Sequence, residues 1–214
     1  IPKMNTYMKF IPESKILNSL INNKLYSFLK KKKMKKKYSG ILDYGRNINS
    51  AFLLVRSLFL PNEINELIDQ NTFKKGYIEL DVLNTLNKDI SNIKDTRLSI
   101  MYLEIKYYLC SKLLRDADWT SMANSIELRT PLVDWSFFNK LIPLIKNDNS
   151  INKKLASKSM KDKIPKDIIN RKKTGFVIPH DLYLKKMSYK KEYANPIRDW
   201  SILSYEKYLQ NKKN

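Results

Sequence analysis

The chain has little cysteine, histidine and glycine, and each shortage excludes a class of chemistry. Its one cysteine, Cys110, cannot form an internal disulfide, and the lack of a cysteine framework favours a reducing, cytoplasmic location. Cys110 falls in a predicted helix, and we expect it to be a small core residue. The one histidine, His180, has Asp181 beside it but no further metal ligand or catalytic partner, which is typical of a surface or cap residue. The four glycines include no adjacent pair, so the sequence has no glycine-rich phosphate loop: Gly40, Gly45, Gly76 and Gly175.

Long apolar runs are also missing. The longest, "AFLLV" from Ala51 and "LIPLI" from Leu141, are far shorter than the roughly 20 residues that a membrane span requires. We therefore expect no transmembrane segment. The chain starts at Ile1 with "PKMNTY", which is neither an initiator methionine nor a secretory signal. This start predicts that the chain is the later part of a longer protein.

Acidic residues are few relative to basic ones. The formal net charge is +20, from 41 basic and 21 acidic residues, and the range 30–37 alone carries seven lysines. One interpretation is a surface that binds a polyanion, either a nucleic acid or an anionic membrane. The other is that a lysine-, asparagine- and isoleucine-rich composition reflects an AT-biased gene and has no functional meaning.

Helical periodicity is the main structural signal, and strand signals are scarce. The stretch 71–94 is polar and weakly patterned, and we predict it to be irregular. We expect Pro143 to kink its helix or to end it early. The fold class is therefore predicted to be mainly α. Apolar spacing and capping residues predict helices at 14–30, 47–59, from Pro61 onward, 96–114, after Asp134, and near 151–162, 165–170 and 199–211.

One stretch, "SIELRTP", places an acid and a base two residues apart among apolar neighbours. Pro131 biases Thr130 toward an extended backbone, in which residues two apart face the same side. Glu127 and Arg129 are thus predicted to lie side by side on one face. The alternative from the residues alone is a buried ion pair that clamps a helix to a loop. Asp134 is itself predicted to be a helix N-cap.

Two longer motifs resemble the synthetase domain of glutamine-dependent asparagine synthetases. The first is "YLCSKLLRDADWTSMANSIELRTPLVD", residues 108–134, and the second is "RKKTGFVIPHDLYL", residues 171–184. Two weaker matches are "YMKFIP" at 7–12 and "LLVRSLFLPNEI" at 53–64, so the resemblance covers nearly the whole chain. The sequence departs from the family pattern at Trp119, where the family usually carries a basic or small residue. The positions that match the family pattern are Tyr108, Leu109, Leu113, Leu114, Asp118, Ser121, Met122, Ala123, Glu127, Arg129, Pro131, Asp134, Arg171, Lys173, Gly175, Phe176, Pro179 and Tyr183.

The resemblance implies a fold and a reaction. Residues 1–214 are expected to be the helical C-terminal portion of an α/β adenine-nucleotide α-hydrolase-like domain, that is, a PP-loop ATP pyrophosphatase fold whose nucleotide-binding sheet lies mostly upstream. Members of the family activate a carboxylate, that of aspartate in the type case, by attack on the α-phosphorus of ATP. Ammonia released from glutamine then displaces AMP from the acyl-adenylate. ATP and Mg²⁺ are the implied cofactors, with aspartate or a related acid as substrate.

The resemblance also assigns roles to residues of this chain. Lys173 is expected to be the catalytic cation, in a loop beside Gly175, whose missing side chain lets the backbone approach a ligand. The residues expected to shape the substrate pocket are Asp118, Ser121, Glu127, Arg129, Arg171 and Gly175. The family's ATP loop and its glutaminase cysteine are both absent from the sequence, so we expect the chain to be inactive without those upstream regions.

Two other interpretations remain at this stage. The chain is alternatively a non-catalytic helical remnant or interaction module on the same scaffold. Otherwise it is a basic helical protein that binds nucleic acid or a membrane surface through Lys30 to Lys37, although a nucleic-acid partner is not the favoured expectation.

Overall fold

The computed structural model describes residues 40–148, 151, 153–160, 163–171, 178–190 and 192–212. These residues form helices joined by short loops, and none of them lies in a β-strand. The prediction of a mainly α chain is therefore confirmed for them. They divide into two compact units between Leu128 and Arg129. No described helix is both long and apolar enough to cross a membrane.

From residue 40 onward, the first unit is a series of helices whose last part is one long helical rod. The predicted helices at 47–59 and from Pro61 are confirmed, with Pro61 in the first turn, where its missing N–H costs nothing. The helix predicted at 96–114 is also confirmed and continues to Met122. The elements are α1 (Ile41–Tyr44), α2 (Ile48–Arg56), α3 (Pro61–Leu67), α4 (Gln70–Leu80), α5 (Val82–Ile90), α6 (Thr96–Leu103), a π-helix (Glu104–Leu114) and α7 (Arg115–Met122).

The prediction that 71–94 is irregular is wrong, because this stretch forms most of α4 and all of α5. Asp69 caps α4 by accepting a hydrogen bond from the Thr72 N–H at 2.8 Å. Asp81, in the left-handed conformation at φ 37°, separates the two helices. No residue of α4 is buried, which explains its weak apolar pattern. In α5, by contrast, Leu86 and Ile90 are buried one turn apart.

A small apolar core holds α2, α5 and α6 together. Phe52, Leu86, Ile90 and Leu103 form one buried cluster, with the half-buried Tyr107 packed against it. Burial of each such side chain stabilises the fold by roughly 1.5–3 kcal/mol. The core therefore fixes the first turns of the rod against two other helices.

Cys110 does not belong to this core. It lies in the π-helix, within the helix predicted for it, but its side chain is exposed. The prediction of a small core residue is wrong, because no residue of the π-helix is buried.

The described part of the second unit begins with a short 3₁₀ turn and contains five α-helices. Asp134 caps the first of them, accepting a hydrogen bond from the Phe137 N–H at 2.9 Å, as predicted. That helix continues four residues past Pro143, so the proline does not end it early. The elements are the 3₁₀ turn (Pro131–Val133), α8 (Trp135–Asn147), α9 (Lys153–Ser159), α10 (Lys166–Asn170), α11 (His180–Lys186) and α12 (Pro196–Lys212).

Helices α11 and α12 pack together around aromatic rings. The rings of His180 and Tyr183 lie 5.8 and 6.0 Å from that of Trp200, and Leu184 is fully buried. The buried Asp199 carboxylate accepts the backbone N–H of Glu192 at 2.8 Å, which ties the connecting loop to α12. His180 is thus a half-buried ring at a helix start rather than a bare surface residue.

Several predictions fall outside the described residues. They are the helix at 14–30, the lysine cluster Lys30 to Lys37, the match at 7–12, and the motif residues Lys173, Gly175 and Phe176.

Candidate functional site

The first motif starts on a rod of continuous helical backbone, residues 96–122. Asp95 caps the rod by accepting a hydrogen bond from the Leu98 N–H at 2.8 Å. The backbone stays helical at both junctions, with φ −62° and ψ −40° at Glu104 and φ −63° and ψ −46° at Arg115. The motif therefore begins inside the π-helix, at Tyr108, follows the rod to the end of α7 and continues beyond it to Asp134.

Arg56, at the end of α2, binds the rod at the start of the motif. Its guanidinium pairs with the Glu104 carboxylate through both oxygens, with Nε 2.8 Å from Oε1. The central carbon of this guanidinium lies 3.7 Å from the centroid of the Tyr108 ring. A forked ion pair combined with stacking on a ring uses the planarity of arginine, which lysine lacks. Sequence reasoning missed this contact, which spans 48 positions.

Asp89, near the end of α5, makes a second attachment to the rod, at two residues that lie between Glu104 and Tyr108. Its carboxylate accepts hydrogen bonds from Lys106 Nζ at 2.7 and 2.8 Å and from the Tyr107 hydroxyl at 2.5 Å. The Lys106 hydrogen bond, followed by that of Tyr107, holds the pKa of Asp89 below its usual range. The bond to Asp89 raises the pKa of Lys106, and burial and then the same carboxylate raise the pKa of Tyr107. Asp89 is thus kept ionised.

The rod ends in a tight turn within the motif. Ser125 is left-handed at φ 57°. Its N–H donates to the Met122 carbonyl at 2.9 Å, and the Ile126 N–H donates to the Ser121 carbonyl at 3.0 Å. These two bonds define a Schellman turn, in which glycine is the usual left-handed residue. The turn therefore fixes the direction in which the chain leaves the rod toward Glu127.

Two predicted pocket residues, Asp118 and Ser121, lie on α7. The Ser121 hydroxyl donates to the Asp118 carbonyl at 3.1 Å, a contact between adjacent turns. Asp118 is exposed and Ser121 is half-buried. The structure thus brings these two residues together at the end of the rod.

Glu127 and Arg129 lie in a segment without regular structure, residues 126–130. Both side chains are exposed, so neither is part of a buried ion pair. Thr130 has φ −121° and ψ 76°, which is outside the helical region but short of the extended range that a following proline favours. The boundary between the two units falls between Leu128 and Arg129, and the side-by-side arrangement of Glu127 and Arg129 stays a prediction.

Trp119 is the position at which the sequence departs from the family pattern. The residue is 65% exposed, and the Arg115 guanidinium lies 5.0 Å from the ring centroid. Arg115 is one turn upstream on α7, so a cation lies beside the tryptophan although none stands at position 119 itself. Such a cation–π contact at an exposed site contributes about 0.5–1 kcal/mol.

Of the second motif, the structure describes residue 171 at one end and residues 178–184 at the other. Arg171 directly follows α10 and is exposed. Pro179 precedes α11, whose His180 and Tyr183 rings pack against Trp200. The downstream end of the motif is therefore anchored to α12.

The described residues do not by themselves fit the implied cofactors. Among them, no group of three or more His, Cys, Asp and Glu side chains is placed to hold a metal ion. No two of the four glycines in the sequence are adjacent, so no glycine-rich loop is available for the phosphates of ATP. Neither ATP nor Mg²⁺ is assigned to the described part of the chain.

Comparison with known proteins identifies the family. Residues 13–211 match the family model described as asparagine synthase, and the chain belongs to this family. One curated relative is "Asparagine synthetase [glutamine-hydrolyzing] 1" of Bacillus subtilis (strain 168), which is 33% identical over 108 residues. That match spans 49% of this chain and 17% of the relative. No solved structure matches the chain significantly.

Proposed function

We propose that the chain supplies the helical part of a synthetase domain in a glutamine-dependent amidotransferase. The family match over residues 13–211 carries this proposal, and the motif at 108–134 supports it. In the proposed reaction a carboxylate attacks the α-phosphorus of ATP, pyrophosphate leaves, and ammonia displaces AMP to form the amide. The substrate is aspartate or a related acid.

Within this proposal, each motif has a distinct role. Lys173 neutralises the negative charge that builds up on the leaving pyrophosphate, a task that suits a fixed cation. Glu127 and Arg129 shape the wall of the pocket and transfer no proton. The exposure of both side chains agrees with groups that face a ligand.

The proposal also requires regions that this chain does not contain. The phosphates of ATP need backbone N–H groups in a glycine-rich loop, and glutamine hydrolysis needs a nucleophilic cysteine. We propose that an upstream nucleotide-binding sheet of the PP-loop type and a glutaminase region complete the enzyme in the cytoplasm. Mg²⁺ bound with these regions would supply positive charge to offset that of the leaving pyrophosphate.

The test combines the chain with nucleotide-binding and glutaminase regions of an asparagine synthase family protein. AMP formation is measured with ATP, Mg²⁺, glutamine and aspartate, and then with other carboxylates. We expect AMP above the level of either part alone, with loss of this signal in Lys173→Ala. The neighbouring Lys172→Ala is the matched control, because it removes the same charge from the position that the motif leaves variable. The proposal fails if no carboxylate yields AMP above background or if the two variants behave alike.

A further inference from the structure

The π-helix at the start of the first motif is unusually long. It covers 11 residues, Glu104–Leu114, whereas π-helices occur mostly as single-turn bulges and often at functional sites. Its sequence, "EIKYYLCSKLL", has no proline or glycine, and its three leucines, two lysines and one glutamate favour the ordinary α-helix. No residue of the segment is buried, although the half-buried Tyr107 in its first turn packs against the core. Local propensity therefore does not explain the winding.

The contacts from other helices concentrate on the first turn of this segment. Arg56 of α2 holds Glu104 and Tyr108 through the forked ion pair and the ring contact. Asp89 of α5 holds Lys106 and Tyr107 through hydrogen bonds of 2.5–2.8 Å. Four of the first five residues of the π-helix are thus attached to two side chains that lie outside both motifs. The segment is fastened where it begins.

The winding of this segment decides which way the rest of the motif faces. A π-helix has roughly 4.4 residues per turn and an α-helix 3.6, so 11 residues differ by about half a turn between the two forms. Rewinding the segment as an α-helix would rotate α7 by that amount relative to α6. Asp118 and Ser121 would then face the opposite side of the rod.

We infer that Arg56 and Asp89 are positioning residues, which keep Glu104–Leu114 wound as a π-helix and thereby set the direction in which Asp118 and Ser121 face. Each residue acts through the rod and touches no reacting group. Their importance for catalysis rests on the proposed function, but their effect on the winding does not.

The winding is tested directly by solution NMR on the isotope-labelled chain. Backbone Overhauser contacts between residues five apart mark the π form in 104–114, and contacts between residues three apart, without those between residues five apart, mark the α form. In the double variant R56Q/D89N, which removes both attachments, we expect the π pattern to be replaced by the α pattern and the Trp119 indole resonance to shift. The control is Lys75→Gln, which breaks the exposed Lys75–Glu79 pair on α4 and should leave every rod resonance unchanged.

A folded double variant that keeps the π pattern overturns the inference. If the double variant does not fold, Arg56→Lys is measured instead. This change keeps the charge but loses the forked pairing and the planar stack. An unchanged π pattern in Arg56→Lys then overturns the role of Arg56.

The catalytic consequence is measured on the same variants in the assembled amidotransferase. We expect Arg56→Lys to lower kcat for AMP formation about tenfold or more, since small misplacements of a site carry penalties of that order, while KM for ATP stays within about twofold. Lys75→Gln should match the parent chain. A parent chain that forms no AMP would refute the proposed function alone, because the NMR result stands without it. Unchanged kcat in a variant that has lost the π pattern would refute the positioning role.

Discussion

Ser125→Gly should stabilise the chain, although it removes a side chain from the family motif. Ser125 is held at φ 57° by the turn that ends α7, and Ser188 is held at φ 53° by an equivalent turn after α11. In the second turn the Ser188 N–H donates to the Lys185 carbonyl and the Tyr189 N–H to the Leu184 carbonyl, both at 3.0 Å. Both helices thus end with serine where glycine is the usual residue.

The magnitude follows from two opposing terms. The left-handed conformation costs a residue with a Cβ roughly 1–2 kcal/mol, and glycine avoids this cost. Glycine loses more conformational entropy on folding, which costs roughly 0.5–1 kcal/mol. The net expectation is a stabilisation of about 0.5–1 kcal/mol for Ser125→Gly, and the same for Ser188→Gly.

The assay is urea unfolding followed by far-UV circular dichroism, with each variant measured beside the parent chain. Ser204→Gly is the matched control, because Ser204 lies exposed in the interior of α12 and makes a hydrogen bond to the Trp200 carbonyl. There glycine should destabilise by a few tenths of a kcal/mol, in line with helix propensity. Ser125→Ala should bring no stabilisation, because alanine keeps the Cβ.

The reasoning is refuted if Ser125→Gly and Ser204→Gly shift the unfolding midpoint in the same direction. It is also refuted if Ser125→Ala stabilises the chain as much as the glycine variant does. Either result would mean that the left-handed turn is not what limits stability at this position.

Three further predictions concern the core, a helix cap and an ion pair. Leu103→Ala removes a fully buried side chain and should lower the free energy of unfolding by about 2–5 kcal/mol. The control Leu80→Ala changes an exposed side chain and should alter this free energy by less than about 0.5 kcal/mol. Equal effects of the two variants in urea unfolding would contradict the assignment of Leu103 to the core. Asp134→Ala removes the N-cap of α8 and should lower the free energy of unfolding by about 1 kcal/mol in the same assay. Asp134→Asn keeps an oxygen that can cap the helix and should retain most of the stability. If Asp134→Asn loses as much stability as Asp134→Ala, Asp134 does not act as a cap. The pKa of Asp89 in the folded chain lies below its ordinary value of 3.8, so the ionised carboxylate stabilises the fold above pH 3.8 and this stabilisation is lost as the pH falls through the folded pKa. The difference in unfolding free energy between the parent chain and Asp89→Asn should therefore shrink from pH 7 to pH 3. A difference that stays constant with pH would contradict this reasoning.

The spacing of apolar residues predicted most of the helices, because a helix that packs against a core needs apolar residues at helical intervals on one face. Phe52, Leu86 and Leu103 pack in one core, and their helices keep the periodicity that this requires. The helix α4 was missed because it buries no residue and so carries no such pattern. The spacing of Leu86 and Ile90, one turn apart, was a signal that would have revealed α5.

Sequence reasoning predicted the parts of the candidate site that depend on residues close together in the sequence. Asp134 was recognisable as a cap because it follows a proline turn and precedes an apolar helix. The attachments of Arg56 and Asp89 to the rod join residues distant in sequence, and no local pattern indicates them. The left-handed Ser125 gave no signal either, because serine is not the residue that such a turn favours. Whether Glu127 and Arg129 share a face stays a prediction.

The exposed thiol of Cys110 allows the rod to be labelled selectively with a chemical probe. Because it is the one cysteine of the chain, a maleimide dye or a nitroxide attaches at a single, known position without any engineered substitution. That position lies within the π-helix, upstream of Trp119 on the same rod. Trp119 is one of three tryptophans in the chain, so energy transfer from it to the dye would report any rewinding of the helix once Trp135 and Trp200 are replaced.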